Sequence, residues 1–560
     1  MACFGTMKGC NTSKNEAGKM TNFRPHFHPL KFHCMKYFLF ILFSLTFGPA
    51  FSQQKQDTSS SAMVASAHPM ATEAGLLMLK QGGNAFDAIA ASAFMLSVVE
   101  PSMSGLGGRL QAIYFVPGQG VKGLDATTQV PASYVKKAKE AEHGFGTIGV
   151  PGMVKGIVQL QQQNGKLPLK QVMAPAIAAA SKGHALLSEE SRRESIEIKE
   201  LRKFEGTTRH FLQKDTVYPG GSLFKQPALA KTLKTISRDK GKAFYTGGIA
   251  YALTEEIKKG GGFLSMVDMK NYRAEEAKIV RGNYRGYEII GTGLPCYGAI
   301  VIEMLQMLEQ VDLSNRSEKD FLQYHAASHY KAYEDRPLLK TKEDSLVLSS
   351  YAAKRWKDSL PSTIAMPGNT IVADHNNGHT THLVASDKEG NMVSVTQSVG
   401  PLMGSKVASV KNGFVLATTM GPYLGQMKPG ERASSHISPI IILKDGKPFL
   451  ALGAAGGARI VPAIVQVISR VIDQGMSLEQ ALSAGRVYQM PDKLLVENHK
   501  GVYWKDGKTM DKLRESGIKL EEVKSPAIFG RVHAIQYQLP GIWIGAADPD
   551  WSGTAKGLKN

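Results

Sequence analysis

From Ala85 to Val99 the chain carries a single charge, Asp87, and apolar or small side chains on nearly every helical face. A helix of that kind has no side to offer to water, so it must lie inside a large folded body. Its start is well marked: Asn84 suits the cap, and the Asp87 carboxylate in the first turn favours the helix dipole. Just upstream, the spacing predicts a short strand at Met63–Ser66, a turn at His68-Pro69 and a helix over Ala71–Gln81, which Gly82-Gly83 stops.

Later segments continue the mixture. A strand within Gly286–Pro295 leads into an apolar helix, Ala299–Leu308, and another helix closes at Ala332–Arg336. The stretch Ala352–Asn377 reads as polar and irregular, and Gln53–Ser61 as polar and disordered. Thr381–Ser386 and Met392–Ser398 read as strands joined by a glycine-containing loop, as do Ile440–Leu443 and Pro448–Leu452. Helices return at Pro462–Gln474 and Leu478–Ala484. Periodicity alone therefore gives a mixed α and β chain with one large core.

The 560 residues are 43% hydrophobic and 21% charged, which is the composition of a globular protein. The first 52 stand apart. Met35-Lys36 opens an apolar run, Tyr37–Phe47, too short to span a bilayer comfortably, and Gly48–Ser52 supplies small residues suited to cleavage. This predicts a signal peptide at about 35–52 and a secreted or periplasmic protein with no stable membrane span after its removal; an N-terminal anchor is the alternative. His26, His28, His33 and Cys34 lie upstream of that signal. Only Cys296 remains beyond it, so no intrachain disulfide is available, and a lone cysteine reads as a small buried hydrophobe. The leader holds six of the 67 basic residues and one of the 48 acidic ones, so the remainder still carries a formal +14. Those charges are scattered in pairs such as Arg192-Arg193, without a basic run interleaved with aromatics, and no nucleic-acid partner is expected. No metal or organic cofactor is expected either, because His533 and the other histidines of the mature chain stand isolated in sequence.

The chemistry points to Gly378-His379-Thr380-Thr381-His382-Leu383-Val384. A threonine hydroxyl is a poor nucleophile, and no base sits beside it in a triad pattern. Cutting the chain just before Thr380 would turn its new α-amino group, with a reference pKa of about 8, into that base. This run, the Gly82-Gly83-Asn84-Ala85-Phe86-Asp87-Ala88 segment, Val150-Pro151-Gly152, Gln226–Leu229, Phe244–Gly247 and the glycine-rich Gly453–Arg459 together resemble the γ-glutamyltranspeptidase family of N-terminal nucleophile hydrolases. The resemblance covers about residues 62–555. It implies a four-layer αββα sandwich cut at 379/380 into a large subunit, 53–379, and a small subunit, 380–560, that stay together as a heterodimer. It also implies a peptide or small-molecule amide substrate, glutathione-like by default.

On that resemblance Thr380 is the autoprocessing residue and nucleophile. Thr381 is its neighbouring rival, turned to the other face by strand alternation. His382 reads as a packing or hydrogen-bonding residue. Thr396 is expected to face Thr380 across the hairpin, with Ser398 on the same side, and family hydroxyls here orient the nucleophile. Gly456 and Gly457 match the oxyanion loop, where the lack of a Cβ lets N–H groups approach a developing alkoxide. Ser435 and His436 are both candidates for binding the substrate carboxylate.

Departures bear on the acyl group. A family arginine falls at Thr127, a family asparagine at Gly400, and family acids within Ala417–Pro422, where Thr419 is a candidate contact. Loss of one buried charge partner costs about 2–5 kcal/mol of recognition. Arg109 either restores a cation from another direction or is a surface residue at a loop end. A related acylase with a non-glutamyl donor, and a binding scaffold with little turnover, are the alternative readings.

Overall fold

The computed structural model describes residues 55–136, 139–357, 379–422, 427–526, 528–539 and 541–559. The expected leader and residues 358–377 of the expected irregular segment Ala352–Asn377 lie outside them. Fourteen strands build two large sheets: β1 (Gln56–Ser59), β2 (Met63–Ser66), β3 (Arg109–Val116), β4 (Gly120–Ala126), β5 (Glu275–Glu276), β6 (Ile279–Tyr284), β7 (Tyr287–Thr292), β8 (His379–Ser386), β9 (Met392–Gly400), β10 (Ile440–Lys444), β11 (Lys447–Ala455), β12 (Arg531–Gln538), β13 (Ile542–Ala547) and β14 (Thr554–Gly557). One seven-stranded sheet runs β1-β13-β12-β11-β10-β7-β6, the other β14-β2-β8-β9-β3-β4-β5. Every neighbouring pair in both is antiparallel.

Helices α1 (Pro69–Lys80), α2 (Ala85–Val99) and α3 (Met153–Asn164) cover the outer face of the second sheet, where Leu383, Ala385, Val393 and Val395 meet them. Helices α4 (Gly298–Leu308), α5 (Glu318–Glu334) and α6 (Ile460–Ile472) cover the first sheet through Ile442, Leu450 and Leu452. Between the sheets, Met63, Ala65, Ile113 and Val384 pack on Ile290, Ile441, Ala451 and Ile535. The result is the four-layer αββα sandwich. As its composition demands, α2 is buried along its whole length. Asn84 and Asp87 close a capping box, and the buried Asp87 carboxylate also accepts from Gln161 Nε2 at 2.9 Å and the Lys166 N–H at 2.8 Å. Those donors offset the cost of desolvating the charge.

Two segments differ from expectation. Residues Gln56–Ser59 are a strand, pairing with Ile544 and its neighbours at the sheet edge. Edge pairing needs only main-chain groups, and the polar side chains are themselves used: Asp57 accepts from the Gly557 N–H at 2.9 Å, and Ser59 donates to the Leu558 carbonyl at 2.6 Å. Residues Ser349–Lys357 are helical, held by buried Ala352 and Trp356, so irregular chain is not found in the first part of Ala352–Asn377.

The inter-sheet layer is apolar at one end and polar at the other. Beyond Val384 and Ile113, the inward positions become His382, Thr396 and Gln111, then Thr380, Ser398 and Arg109, paired across the strands as Thr396 with Gln111 and Ser398 with Arg109. The His382 ring lies against Gly453 of the opposite sheet, where an added Cβ would come within 2.4 Å of it. Burial holds this imidazole down to a pKa of about 3; His68 and His329 are held at about 3 and His184 at about 4, burial again being the main cause.

Each of these four histidines stays neutral when folded and takes a proton on unfolding, where its ordinary value is 6.5. The unfolded chain therefore binds more protons below that pH. Their contribution is complete above about pH 6.5 and is lost as pH falls toward 4, by at most about 1.4 kcal/mol per pH unit for each. Buried carboxyls such as Glu497, pushed up to about 7 chiefly by burial, oppose this, and further buried histidines such as His325 and His533, which burial holds well below their ordinary range, add to it. Thermal melts between about pH 7.5 and 4.5 should show a steadily falling Tm; an unchanged Tm across that span contradicts the prediction.

Candidate active site

Thr380 is the second residue of β8, 5% exposed and turned into the inter-sheet layer. Its hydroxyl donates to Ser398 Oγ at 3.2 Å. Ser398 in turn donates to the His379 carbonyl at 2.8 Å and accepts from the Gly400 N–H at 2.9 Å. One hydroxyl thus bridges the Thr380 side chain and the carbonyl of the peptide bond that precedes it. Gly400 has φ +97°, a conformation costly for a side chain.

Thr396 does not face Thr380. The loop at Asp387–Asn391 sets the hairpin register so that Thr396 lies opposite His382, and its Oγ1 is 2.8 Å from His382 Nδ1. Ser398 takes the position beside Thr380 instead, two residues further along the same face. Thr381 turns to the outer face and donates to Glu100 Oε2 at 3.0 Å.

Gly456 and Gly457 follow β11, with φ of +144° and +60°. They belong to the same end of the layer: Ala455 pairs with Arg531, and burial, followed by the Arg531 charge, holds the His379 imidazole well below its ordinary range. Arg109 is 1% exposed, not a surface residue, and its guanidinium donates to the Thr418 carbonyl. It sits opposite Ser398 because strand alternation points both inward. Thr127 spends its hydroxyl on Asp125 Oδ1 at 2.6 Å, and Asp125 is paired with Arg432 at 3.6 Å.

Thr419 is fully buried, donates its N–H to the Thr147 carbonyl at 2.7 Å, and lays its methyl against Gly149. Ser435 donates its N–H to the Pro295 carbonyl at 2.9 Å. His436 packs its ring on Tyr297 and Tyr333, centroids 4.8 and 6.0 Å away, and burial followed by the Arg336 charge pushes its pKa well down. These contacts join His436 to an aromatic cluster, and none joins it to Thr380. Cys296 is buried, and burial pushes its thiol well up.

A second group lies directly behind Thr380. Glu100 accepts from Thr381 and from Trp551 Nε1, both at 3.0 Å, and lies 3.5 Å from Arg193 Nη2. The guanidinium carbons of Arg193 and Arg531 stand 4.2 and 4.0 Å from the Trp551 ring centroid. Burial raises the Glu100 carboxyl and Arg193 opposes that rise. Glu100 is legible in hindsight as the one acid that ends the apolar helix α2. Nothing local in the sequence links it to Trp551.

Two face-to-face antiparallel sheets covered by helices, with a threonine near the start of a central strand turned into the layer between them, have the architecture of the N-terminal nucleophile hydrolase class. The gamma-glutamyltranspeptidase family model matches residues 71–558. The Acylase ACY 1 proenzyme of Pseudomonas sp. (strain V22) is 31% identical over 88% of this chain and 93% of its own length. The glutathione hydrolase proenzyme of Bacillus subtilis (strain 168) is 28% identical over 91% and 94%. Among solved structures, cephalosporin acylase from Bacillus halodurans has the same fold, with a TM-score of 0.83 at 24% identity over 92% of this chain and 98% of that one. The chain belongs to the gamma-glutamyltranspeptidase family, and it is an enzyme of that hydrolase and transferase type.

The Trp551–Glu100 hydrogen bond gives a stability prediction. Trp551→Phe keeps most of the ring and loses the N–H, at an expected cost of about 1–2 kcal/mol. Trp551→Ala also loses the packing, at about 3–5 kcal/mol. Urea unfolding of both variants checks this; a Phe variant as stable as the parent would remove the hydrogen bond from the account.

Proposed function

We propose that the chain is a proenzyme that cuts itself before Thr380 and then works as a threonine amidohydrolase and acyltransferase. The observation that carries this is Ser398, whose hydroxyl accepts from Thr380 and donates to the His379 carbonyl. It orients the attacking oxygen and polarises the carbon to be attacked. Thr380 Oγ1 adds to that carbon, its proton passes through Ser398 to the leaving nitrogen, and the carbon–nitrogen bond breaks. This gives an ester on Oγ1 and a free α-amine, and water then releases His379 as a carboxylate. In turnover the α-amine takes the Thr380 hydroxyl proton, Oγ1 attacks the substrate amide, and the amine passes the proton to the leaving nitrogen. The N–H groups of Gly456 and Gly457 are assigned to the oxyanion. Water or an amine then takes the acyl group. The leader and the extracytoplasmic location belong to the same reading; among the described residues no helix is long and apolar enough to cross a membrane.

The acyl donor is a γ-glutamyl amide, glutathione included, with Arg109 as the cation for its carboxylate. A second reading, an acylase for a donor without an α-ammonium, is favoured by one feature: residues 417–422 hold no acid, and Asp125 is engaged by Thr127 and Arg432. Comparing kcat/KM for γ-glutamyl and glutaryl anilides separates the two, since these donors differ only in the α-amino group. A higher value for the γ-glutamyl compound supports the first reading, and a higher value for glutaryl the second.

Intact mass of the purified protein should give two fragments meeting at His379/Thr380, and Thr380→Ala a single chain. Ser398→Ala should slow the cut by about 100-fold, the scale of losing one carbonyl-polarising donor, and Thr396→Ala by much less. Cutting in Thr380→Ala, or equal rates in the two hydroxyl variants, would sink the assignment.

A further inference from the structure

The aromatic cluster around His436 also reaches the glycine loop. Tyr333, in the last turn of α5, is 3% exposed, and its hydroxyl donates to the Ala458 carbonyl at 2.6 Å. Ala458 lies in the 3-10 turn Gly457–Arg459, directly after the two glycines assigned above to the oxyanion. The phenol ring is held from three sides. The His329 ring stands edge-on to it with centroids 4.2 Å apart, His436 stacks on it at 6.0 Å, and the Arg336 guanidinium carbon lies 5.2 Å from its centre.

Glycine has no Cβ to restrict its backbone, so the N–H directions of a glycine pair must be set by bonds made elsewhere in the turn. Two such bonds are present: the Arg459 N–H donates to the Gly456 carbonyl at 3.2 Å, and the Ile460 N–H donates to the Gly457 carbonyl. A trans peptide unit is planar, with its C=O and N–H pointing opposite ways. Holding the Gly456 carbonyl therefore aims the Gly457 N–H. The Arg459 N–H that holds it shares a peptide plane with the Ala458 carbonyl, and that carbonyl is where Tyr333 bonds. Two planar units joined by one hydrogen bond thus connect the phenol to the Gly457 N–H. Beyond the turn, Arg459 Nη1 donates to the Ile528 carbonyl at 3.2 Å, and its guanidinium carbon lies 5.3 Å from the centre of the Tyr488 ring.

We infer that Tyr333 is a positioning residue for the oxyanion loop: its hydroxyl fixes the Ala458–Arg459 peptide plane and, through it, the direction of the Gly457 N–H. This rests on the assignment of Gly456 and Gly457 under the proposed function. An N–H that is aimed wrongly weakens the hold on the charged transition state more than the hold on the neutral substrate, so the loss falls on kcat rather than on KM. On the proposed cut, Tyr333 belongs to the large subunit and the loop to the small one, and one subunit would set the donor geometry of the other.

Kinetics of Tyr333→Phe test this, on whichever of the γ-glutamyl and glutaryl anilides the parent turns over faster, beside Tyr245→Phe. Tyr245 makes the same kind of buried bond, to the Pro151 carbonyl at 2.9 Å, among the helices over the other sheet. The expected result is two fragments by intact mass in both variants, a kcat about tenfold lower in Tyr333→Phe with KM within about twofold of the parent, and parental kcat in Tyr245→Phe. A boronic acid with boron in place of the donor's scissile carbonyl carbon forms a tetrahedral adduct on Thr380 Oγ1, and its inhibition constant should rise about tenfold in Tyr333→Phe alone. Parental kcat in Tyr333→Phe, an equal loss in both variants, a loss confined to KM, or an unchanged inhibition constant would overturn the inference and leave the Thr380 reading standing. A parent protein that neither cuts itself nor turns over either anilide would overturn both.

Discussion

Packing two antiparallel sheets face to face forces every second residue of the central strands into a layer that water does not reach, and the rest of the molecule depends on how that layer is filled. Over most of its extent Val384, Ile113, Ile441 and Ile535 fill it with hydrocarbon. Toward one end the inward positions turn polar, and each polar group there needs a partner or it costs free energy. His382 finds Thr396, and Thr380 finds Ser398. Thr380 is held by a strand whose other residues are buried.

The same alternation divides labour between adjacent residues. Thr380 faces the inter-sheet layer, while Thr381 faces outward onto Glu100 at the end of α2. The helix that must be buried therefore delivers one carboxylate behind Thr380, and Trp551, with Arg193 and Arg531 near its ring, completes a support made from distant parts of the chain. On the proposed cut, Glu100 and Arg193 belong to one subunit and Thr381, Arg531 and Trp551 to the other. The support would then be one of the contacts that keep the two together.

Helices and hairpins were legible wherever periodicity was strong. The Asn84–Asp87 cap, the apolar α2 and the two hairpins lie where the residue pattern put them, with ends shifted by a few positions. The strand Gln56–Ser59 was not legible, because an edge strand is held by main-chain pairing to β13, and its own side chains carry no pattern. The partner of Thr380 was misread for a related reason. Both hydroxyls, Thr396 and Ser398, share the inward face, and only the register set by the hairpin loop decides which one stands opposite.

By itself the sequence determined the kind of molecule: a strand-initial threonine in a hairpin, a glycine loop after a second hairpin, and a helix too apolar to lie anywhere but inside. These follow from local spacing, which any alignment of φ and ψ with burial must respect. Tertiary structure alone decided what meets what. It placed Ser398 on the His379 carbonyl, buried Arg109 against the Thr418 carbonyl, and set His499 between Glu497 and Asp550. Such contacts arise from chain closure across tens to hundreds of residues, and no local pattern records them.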